Sequence, residues 1–333
     1  MNVKFGIDPT GDKLHLGHFA VLRRLMKHQE CGHKIHIILG TFTAMIGDPT
    51  GRDLTRPKMD FSEVSRNADE IELEVRSIIP PENLTIHRNH EWLNKIEPTK
   101  MIELLSLMTV QQILAKESFK NRISSGVPVS LHEMIYPIFQ GFDSVQIESD
   151  LELGGKDQMF NVMLGSKLQE RLGKKPQSFE LIDILEGIGT SQKMSKTLNN
   201  QINISDSSRT IFDKILNIRD DQIDHFQRLL TDLRSEGESP RVRKETIAAD
   251  VLRQLGLTLD MDDFQVVNSP EKDIISCLIS CGVSGSKSDA RRKIEQGGVS
   301  VLRAGIFEKV DNHHHIIQDG EVVKIGKKKF RIK

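Results

Sequence analysis

Hydrophobic positions at the start of the chain switch between the pattern of a strand and the pattern of a helix. Val3–Ile7 is a short apolar run followed by the turn Asp8–Gly11, and apolar positions over Leu16–Leu25 then recur at helical spacing. Ile35–Leu39 is a second apolar run, closed by Gly40, and is typical of a strand buried on both faces. Strand, helix and strand in so short a segment predict a βαβ unit and therefore a parallel sheet.

Periodicity predicts further elements along the first two thirds of the chain. Helical patterns cover Phe61–Ile78, Thr99–Leu114 and Leu131–Ile147, and a short strand, Leu151–Leu153, leads through the turn Gly154-Gly155 to a helix from about Asp157. This alternation predicts an α/β fold with a Rossmann-like parallel sheet in a first domain over residues 1–204.

The remaining sequence changes its texture twice. Ile211–Gly256 is strongly charged and has only helical patterns, which predicts a small all-helical region over residues 205–267. From about Glu271 the pattern becomes one or two short helices and then small strands with glycine turns. We therefore expect a C-terminal α+β domain over residues 268–333.

Composition narrows the class of protein. Of 333 residues, 37 % are hydrophobic and 28 % are charged, and the net charge is −1, which argues against attachment to nucleic acid by bulk charge. No run of eighteen apolar residues suggests a membrane span, and the start has no signal-like region. The sparse cysteines Cys31, Cys277 and Cys281 fit a reducing compartment, with Cys277 and Cys281 as core thiols. A cytoplasmic protein is expected.

The segment Asp8–His18, DPTGDKLHLGH, places two histidines at the start of a predicted helix. Unpaired N–H groups and the helix dipole favour phosphate at such a start, and His15 and His18, three residues apart, can donate hydrogen bonds from one helix face. Taken alone, such a pair more often consists of simple surface or packing histidines. The motif therefore predicts a phosphate site only when a second element supports it.

That second element is Lys193–Thr197, KMSKT, which follows an apolar stretch and is surrounded by small polar residues. Lys193 and Lys196 could hold a leaving pyrophosphate, whereas such a run alone would be solvated surface. A third element, GDPTGR, contains Asp48 and Arg52, with Arg56 beyond it, after the second predicted strand. Ligands bind at the carboxyl ends of strands in open α/β sheets, although Asp48 could also be a plain turn former.

The order of the first two elements resembles the paired HIGH and KMSKS signatures of class I aminoacyl-tRNA synthetases. A further pattern, Tyr136, Gln140 and Asp143 on one helix face followed by GGKDQ at 154–158, resembles the tyrosyl-tRNA synthetases in particular. On residues alone, Asp143 could instead face solvent and Tyr136 could be a core aromatic. The likeness extends over nearly the whole chain, including a C-terminal region similar to the S4 RNA-binding fold.

The resemblance implies roles for individual residues. Tyr136, Gln140 and Asp48 would bind the ammonium of the substrate, Asp143 would accept from its phenol hydroxyl, and Gln158 would lie near its carboxylate. Asp8 and Gly17 would bind ATP, with Asp157 at its ribose and His18 nearer the ribose side. Thr10 and His15 would face the γ-phosphate. Arg52, Arg56, Lys193 and Lys196 would neutralise the departing pyrophosphate.

The resemblance also implies substrates and partners. L-Tyrosine, ATP with Mg²⁺ and tRNA(Tyr) are expected, with a homodimer as the assembly and without a membrane or DNA partner. Mg²⁺ would be held chiefly by the phosphates, so no dedicated metal site is predicted. Residues 271–333 carry 13 Lys and Arg against 8 Asp and Glu, and Arg291, Arg292 and Lys293 are expected to contact RNA phosphates; a solvated basic tail is the alternative.

One residue departs from the family pattern. Many bacterial relatives have a tyrosine that helps bind the phenol at the position of Lys4, and one bacterial subgroup shares the lysine. The preferred function is a tyrosine–tRNA ligase. Two alternatives remain at this point: a paralogue that activates another amino acid, with tryptophan enzymes nearest, and a non-catalytic RNA-binding protein on the same scaffold.

Overall fold

The structure is a computed structural model that describes residues 1–50, 59–195, 198–235, 237–258, 265–303, 306–318, 321–326 and 328–332. Contacts within the chain divide it into two compact units, Met1–Ser205 and Asp206–Lys333. The further division of the second unit near residue 267 stays a prediction. No helix among the described residues is long and apolar enough to cross a bilayer.

A parallel sheet of five strands organises the first unit, in the order β3-β2-β1-β4-β5. The strands are β1 (Asn2–Ile7), β2 (Lys34–Leu39), β3 (Leu84–Arg88), β4 (Leu151–Gly155) and β5 (Ser178–Ile182). Val3 of β1 is paired with Ile35 on one side and with Leu151 on the other. The parallel sheet predicted from the sequence is therefore confirmed.

Nine helices cover or flank this sheet in the described part of the unit. They are α1 (Leu16–Glu30), α2 (Thr43–Ile46), α3 (Phe61–Ile78), α4 (His90–Leu93), α5 (Pro98–Ser106), α6 (Val110–Leu114), α7 (Glu117–Ser124), α8 (Leu131–Gln146) and α9 (Met159–Arg171). The prediction of a single helix over Thr99–Leu114 is wrong, because one helix ends before Thr109 and a second begins directly after it. There the Thr109 hydroxyl accepts from the Gln112 N–H and the Gln112 side chain accepts from the Thr109 N–H, a capping box that starts a new helix.

The position of β1 explains where a ligand can bind. β1 lies in the middle of the sheet, with β2 on one side and β4 on the other, although β3 comes before β4 in the sequence. The connections from β1 and from β4 therefore leave the sheet in different directions and open a crevice at the carboxyl ends of these strands. Val3, Ile35 and Ile37 are fully buried and form part of the apolar base below that crevice.

The second unit begins with helices and ends with a small sheet. Its helices are α10 (Ser208–Leu216), α11 (Ile223–Leu230), α12 (Pro240–Gln254), α13 (Ile274–Ser280) and α14 (Lys287–Glu295). Its strands are β6 (Gln265–Val267), β7 (Val299–Arg303), β8 (Ile306–Lys309), β9 (Val322–Ile325) and β10 (Lys328–Ile332), in the order β6-β10-β9-β7-β8. Among the strands described in this sheet, β6 and β10 pair in parallel and the other neighbours are antiparallel. The predicted fold class, a Rossmann-like sheet followed by helices and a small α+β part, is confirmed.

Buried apolar side chains of α13, α14 and this sheet form one core. Cys277 and Cys281 belong to it, packed with residues such as Leu278, Ile294 and Phe330. Burial raises the pKa of the Cys281 thiol to about 12, so both cysteines serve as small apolar side chains there. The sequence expectation that they are core thiols is confirmed.

Candidate active site

A cavity at the carboxyl ends of β1 and β4 contains the predicted site residues of the first unit. It brings together all of those that the structure describes: Asp8, Thr10, His15, Gly17, His18, Asp48, Tyr136, Gln140, Asp143, Asp157, Gln158 and Lys193. Arg52, Arg56 and Lys196 lie outside the described residues. We call His15, His18, Asp157 and Lys193 the phosphate side of the cavity, and Asp48, Tyr136, Gln140, Asp143 and Gln158 its amino-acid side.

The two histidines of the phosphate side cap helix α1. Nδ1 of His15 accepts from the Gly17 N–H at 3.1 Å, and Nδ1 of His18 accepts from the His15 N–H at 3.2 Å. The ring centroids lie 4.0 Å apart. Because both Nδ1 atoms are acceptors, the proton of each neutral imidazole is assigned to Nε2. Both rings are thus fixed at the positive end of a helix, where an anion is favoured.

Gly17 is required by this arrangement. A β-carbon at Gly17 would lie 2.9 Å from Cε1 of His15, closer than side-chain atoms approach one another. A larger residue would therefore push the His15 ring out of its capping position. This contact gives a physical reason for the H-x-G-H spacing.

The Lys193 ammonium forms an ion pair with the Asp157 carboxylate across the cavity mouth. Asp157 lies in a 3-10 turn, Lys156–Gln158, directly after β4. A β-carbon at Gly155 would lie 2.5 Å from Oδ1 of Asp157, so glycine permits the carboxylate to fold back over the strand end. Lys193 itself forms an isolated antiparallel bridge with Glu186.

Asn200 fixes the backbone on either side of Met194. Its Oδ1 accepts from the Ser195 N–H at 2.8 Å, and its Nδ2 donates to the Lys193 carbonyl at 3.2 Å. Met194 is buried and anchors the segment in the core. The first three residues of the K-M-S-K motif therefore have a defined place beside the cavity.

The predicted face of α8 turns toward the cavity. Tyr136, Gln140 and Asp143 all line it, and Tyr136 and Asp143 are buried. The Tyr136 hydroxyl donates to Oδ2 of Asp8 at 2.9 Å, and Oδ1 of Asp8 accepts from the Thr43 hydroxyl at 2.7 Å. Burial and the neighbouring Asp8 carboxylate raise the pKa of Tyr136 well above its usual value. The phenol is thus neutral and keeps lone pairs with which it can accept.

Asp143 lies at the floor of the cavity and is 3 % exposed. Trp92 Nε1 donates to its Oδ1 at 2.9 Å and Asn89 Nδ2 donates to its Oδ2 at 3.2 Å. Burial raises the pKa of Asp143 to about 6, against the lowering effect of Lys4 and of these hydrogen bonds. The alternative of a solvent-facing Asp143 is excluded by its burial.

Asp48 is held by partners from three segments. Its Oδ1 accepts from the Thr50 N–H at 2.9 Å and the Thr50 hydroxyl at 2.6 Å, and its Oδ2 accepts from Gln158 Nε2 at 2.8 Å. Lys116 Nζ lies 3.5 Å from Oδ1. Burial alone would raise the pKa of Asp48, but Lys116 and the hydrogen bonds hold it below the usual value. Asp48 is therefore an anion at neutral pH.

Asn161 connects the residues of the amino-acid side and was not predicted from the sequence. Its Nδ2 donates to Oε1 of Gln140 and to Oε1 of Gln158, both at 2.9 Å, and its Oδ1 accepts from Lys116 at 2.8 Å. These bonds decide which end of each glutamine amide faces the cavity. Asn161 is 1 % exposed, so water cannot replace it easily.

Other residues of the site were also missed, for a common reason. Lys116, Glu152 and Asn89 are buried polar side chains from other elements that contact Asp48, Gln140 and Asp143 respectively. For Lys4 and Glu152 the sequence did contain a signal, because each is a charged residue within an apolar strand. The structure pairs them directly across β1 and β4. Two opposite charges inside buried strands indicate an internal ion pair.

The predicted RNA-binding residues lie on α14. Arg291 and Arg292 are exposed, and Arg292 also pairs with Asp289 at 2.7 Å. Lys293 is partly buried and donates to Asp289 at 2.7 Å and to the Val283 carbonyl. Two of the three side chains are thus accessible to a partner, whereas Lys293 supports the loop before the helix.

The carboxylates and histidines of the described chain do not form a group that could hold a metal ion. His313 pairs with Glu295 at 3.3 Å, His314 is exposed, and the His315 carbonyl accepts from the Ile274 N–H. The three consecutive histidines therefore have separate environments.

Comparison with known proteins gives consistent matches. The family model described as class I tRNA synthetases for tryptophan and tyrosine matches residues 1–253. The chain is 36 % identical to the tyrosine–tRNA ligase of Desulfotalea psychrophila and 38 % identical to that of Synechococcus elongatus. Each alignment covers 99 % of this chain and 89 % of the relative.

Solved structures show the same fold at lower identity. The tyrosyl-tRNA synthetase of Archaeoglobus fulgidus, complexed with L-tyrosine, matches with a TM-score of 0.62 and 20 % identity, covering 77 % of this chain and 88 % of that one. A C-terminally truncated mitochondrial tyrosyl-tRNA synthetase from Aspergillus nidulans matches with a TM-score of 0.63 and 19 % identity, covering 76 % and 81 %.

Proposed function

Because the chain belongs to the class I tRNA synthetases for tryptophan and tyrosine, we propose that the two sides of the cavity bind ATP and tyrosine for the two steps of one reaction. The chain is a tyrosine–tRNA ligase, the activity of relatives that align with almost all of it. The observation that carries the assignment of roles is that both sides line one cavity.

In the first step the tyrosine carboxylate attacks the α-phosphorus of ATP and pyrophosphate leaves. In the second, a terminal ribose hydroxyl of tRNA(Tyr) attacks the carbonyl of the adenylate and AMP leaves. Neither step needs a protein nucleophile, so the residues act by positioning the reactants and by stabilising charge.

The amino-acid side orients tyrosine. Asp48, an anion, binds the substrate ammonium, and the oxygens of Tyr136 and Gln140 complete the set of acceptors. Asp143 accepts a hydrogen bond from the phenol hydroxyl, and Gln158 lies near the carboxylate. A buried acceptor that phenylalanine cannot satisfy is a physical basis for selecting tyrosine.

The phosphate side neutralises charge. Thr10, His15 and Lys193 face the phosphates of ATP. His18 and Asp157, which also belong to the phosphate side of the cavity, face its ribose. Lys193 is bonded to Asp157 in this structure, so its transfer to the departing pyrophosphate would release Asp157 for the ribose. Arg52, Arg56 and Lys196 are proposed to add positive charge, and Asp8 and Gly17 shape the nucleotide pocket.

Mg²⁺ is proposed to arrive with ATP. The phosphate side supplies imidazoles and an ammonium, while its one carboxylate is paired with Lys193; this donor set fits a cation held mainly by phosphate oxygens. Bound there, Mg²⁺ would reduce the negative charge of the polyphosphate. Dependence of the exchange reaction on added Mg²⁺ tests this part.

The proposal includes a homodimer in the cytoplasm. Large apolar side chains are exposed on consecutive helices of the first unit: Ile102, Val110, Ile123, Leu131 and Met163. A second copy of the chain would remove such surface from water. Sedimentation of a monomer at micromolar concentration would contradict the dimer, and recovery of the protein outside the cytoplasmic fraction would contradict the location.

RNA binding is proposed for the exposed guanidinium groups of α14, Arg291 and Arg292, with Lys293 supporting them. Phosphate contacts make affinity dependent on salt. Replacing both arginines by alanine should weaken tRNA binding and flatten its salt dependence, while the activation step remains unchanged.

The experiment that tests the reaction is amino-acid-dependent exchange of pyrophosphate into ATP. Purified protein is offered tyrosine, phenylalanine, tryptophan or no amino acid. Exchange with tyrosine and subsequent charging of tRNA(Tyr) is the expected result. Exchange with tryptophan alone would overturn the substrate, and exchange with none, in folded protein that binds RNA, would overturn the enzymatic role.

A further inference from the structure

A lysine lies fully buried in the central strand of the sheet. Lys4 of β1 is 0 % exposed, and its Nζ donates to the Gln140 carbonyl at 2.9 Å, to the Ser144 hydroxyl at 2.8 Å and to Oε1 of Glu152 at 3.1 Å. An ammonium has three N–H groups, so each of them has a partner within the protein. Lys4 lines the cavity but directs its charge toward Glu152.

Glu152 of β4 accepts further hydrogen bonds besides the one from Lys4. Its Oε1 also accepts from Gln140 Nε2 at 3.2 Å, and its Oε2 accepts from the Ser144 hydroxyl at 3.0 Å and from Gln177 Nε2 at 2.5 Å. The carboxylate is 1 % exposed. Such a charge is tolerated in the interior because a cation and several donors compensate it.

Asp143 is a second buried carboxylate on the same cavity wall. Two charged side chains act on it electrostatically: Lys4 favours its ionised form, and Glu152 opposes that form. Without Lys4, two buried carboxylates would face one cavity with no cation between them. Like charges in one site force one of the two to take up a proton.

We propose that Lys4 is a positioning residue for amino-acid specificity: by pairing with Glu152 it keeps Asp143 an anionic acceptor for the substrate's phenol hydroxyl, without touching the substrate. This rests on the proposed role of Asp143 in binding tyrosine. The Lys4–Glu152 pair thereby acts as one electrostatic unit, and the sum of its charges, rather than either charge alone, sets the environment of Asp143.

The ionisable groups that face Asp143 come from several elements. Lys4 and Glu152 approach from β1 and β4, and Tyr136 lies two turns earlier on α8. His87 of β3 packs against the Trp92 ring that donates to Asp143, at 5.8 Å between centroids. α2 has no ionisable side chain, and the charged residues of α5 and α9 lie at the surface of those helices: Lys100, Glu103, Lys167, Glu170 and Arg171.

The test compares three variants in tyrosine- and phenylalanine-dependent exchange across pH. In Lys4→Met the ratio of kcat/KM for tyrosine over phenylalanine should fall about 10- to 100-fold, the effect of weakening one charged hydrogen bond. The acid limb of the tyrosine profile should move to higher pH. Glu152→Gln should move this limb in the opposite direction, because an uncompensated cation then faces Asp143.

The double variant, Lys4→Met with Glu152→Gln, removes both charges. It should return the tyrosine-to-phenylalanine ratio to within about threefold of the original protein and restore the acid limb, since the two substitutions are coupled. Loss of packing alone would not move the acid limb in opposite directions in the two single variants. It would also not restore the tyrosine-to-phenylalanine ratio in the double variant.

Three results would overturn the proposal. They are an unchanged ratio and profile in Lys4→Met, a double variant as unselective as Lys4→Met, and shifts of the same sign in both single variants. If Lys4→Met does not fold, Glu152→Gln and the double variant still decide. Failure of the underlying role of Asp143 is recognised separately, since Asp143→Asn would then leave the tyrosine-to-phenylalanine ratio unchanged.

Discussion

The two sides of the cavity differ in how their polar groups are held. On the phosphate side the Lys193 side chain is 55 % exposed and has one carboxylate partner, Asp157. On the amino-acid side Asp143 and Asn161 are almost completely buried and each has several partners. The Lys193–Asp157 pair can exchange partners when a ligand arrives, whereas the buried residues of the amino-acid side are fixed before the ligand arrives.

This difference separates rate from selection. Lys193 can move to the charge that develops on the leaving phosphates, so it should act on kcat. A buried network costs little reorganisation and leaves an unsatisfied group when the wrong substrate binds, so it should act on affinity and specificity. Substitutions on the two sides should therefore leave different kinetic signatures.

The largest effect is expected at Lys193. Lys193→Ala should lower kcat for tyrosine-dependent exchange about 10²- to 10³-fold, because one charged donor to the leaving pyrophosphate is lost. The dissociation constant of tyrosine, measured by calorimetry, should stay within about twofold, since the amino-acid side is intact.

A matched control is Lys174→Ala. Lys174 is another partly exposed lysine with a carboxylate partner, Glu148, at 2.8 Å, and it does not line the cavity. Its replacement should leave the exchange rate unaltered. Weaker tyrosine binding in Lys193→Ala would contradict the separation of the two sides.

The next effect is a pH dependence of selection. The pKa of Asp143 is about 6, raised by burial, so the carboxylate is the main form above pH 6 and the neutral acid below it. Since the ionised form is the better acceptor, kcat/KM for tyrosine should fall by up to about 10-fold for each pH unit below 6. The profile of tyrosine-dependent exchange between pH 5 and pH 8 measures this, in a range where tyrosine itself does not titrate.

Asp143→Asn is the control for this profile. An asparagine cannot titrate, so the acid limb should disappear while the overall preference for tyrosine declines. Persistence of the same limb in Asp143→Asn would assign it to another group, and His87, whose pKa is lowered by burial, would be examined next.

The same contrast explains which parts of the site could be predicted from sequence. His15, His18 and Lys193 stand in short motifs, because a helix start and a loop use neighbouring residues. Lys116, just before α7, contacts Asp48, and Asn161 of α9 contacts Gln140. Their role depends on burial and on which atoms meet across the fold, and neither is visible in local sequence.

The fold follows a similar division. Central strands β1 and β2 are apolar runs and could be predicted, whereas β3 and β5 are edge strands with mostly half-buried or exposed positions. An edge strand lacks the continuous apolar pattern of a buried one. Likewise the break between α5 and α6 depends on a reciprocal cap at Thr109, which periodicity does not register.

A smaller effect is expected at Asn161. Asn161→Ala leaves the oxygens of Gln140 and Gln158 without their buried donor, so both amides can turn, and the dissociation constant of tyrosine should rise about 5- to 10-fold. The KM for ATP should be unchanged. Ser166→Ala, on the same helix with a bond to the Gln177 carbonyl at 2.9 Å, is the control. An equal rise in the KM for ATP would indicate that α9 has shifted as a whole.

The smallest effect is expected at Lys156, which stands beside the phosphate side without belonging to it. Its side chain is 63 % exposed and pairs with Asp183 at the cavity wall. An exposed ion pair contributes at most about 1 kcal/mol and is screened by salt. Lys156→Ala should therefore keep kcat and both KM values within about twofold at physiological salt. If Lys156→Ala instead lowered kcat as far as Lys193→Ala does, the loss of any positive charge near the cavity would lower kcat. The specific role of Lys193 in pyrophosphate release would then lose its structural basis.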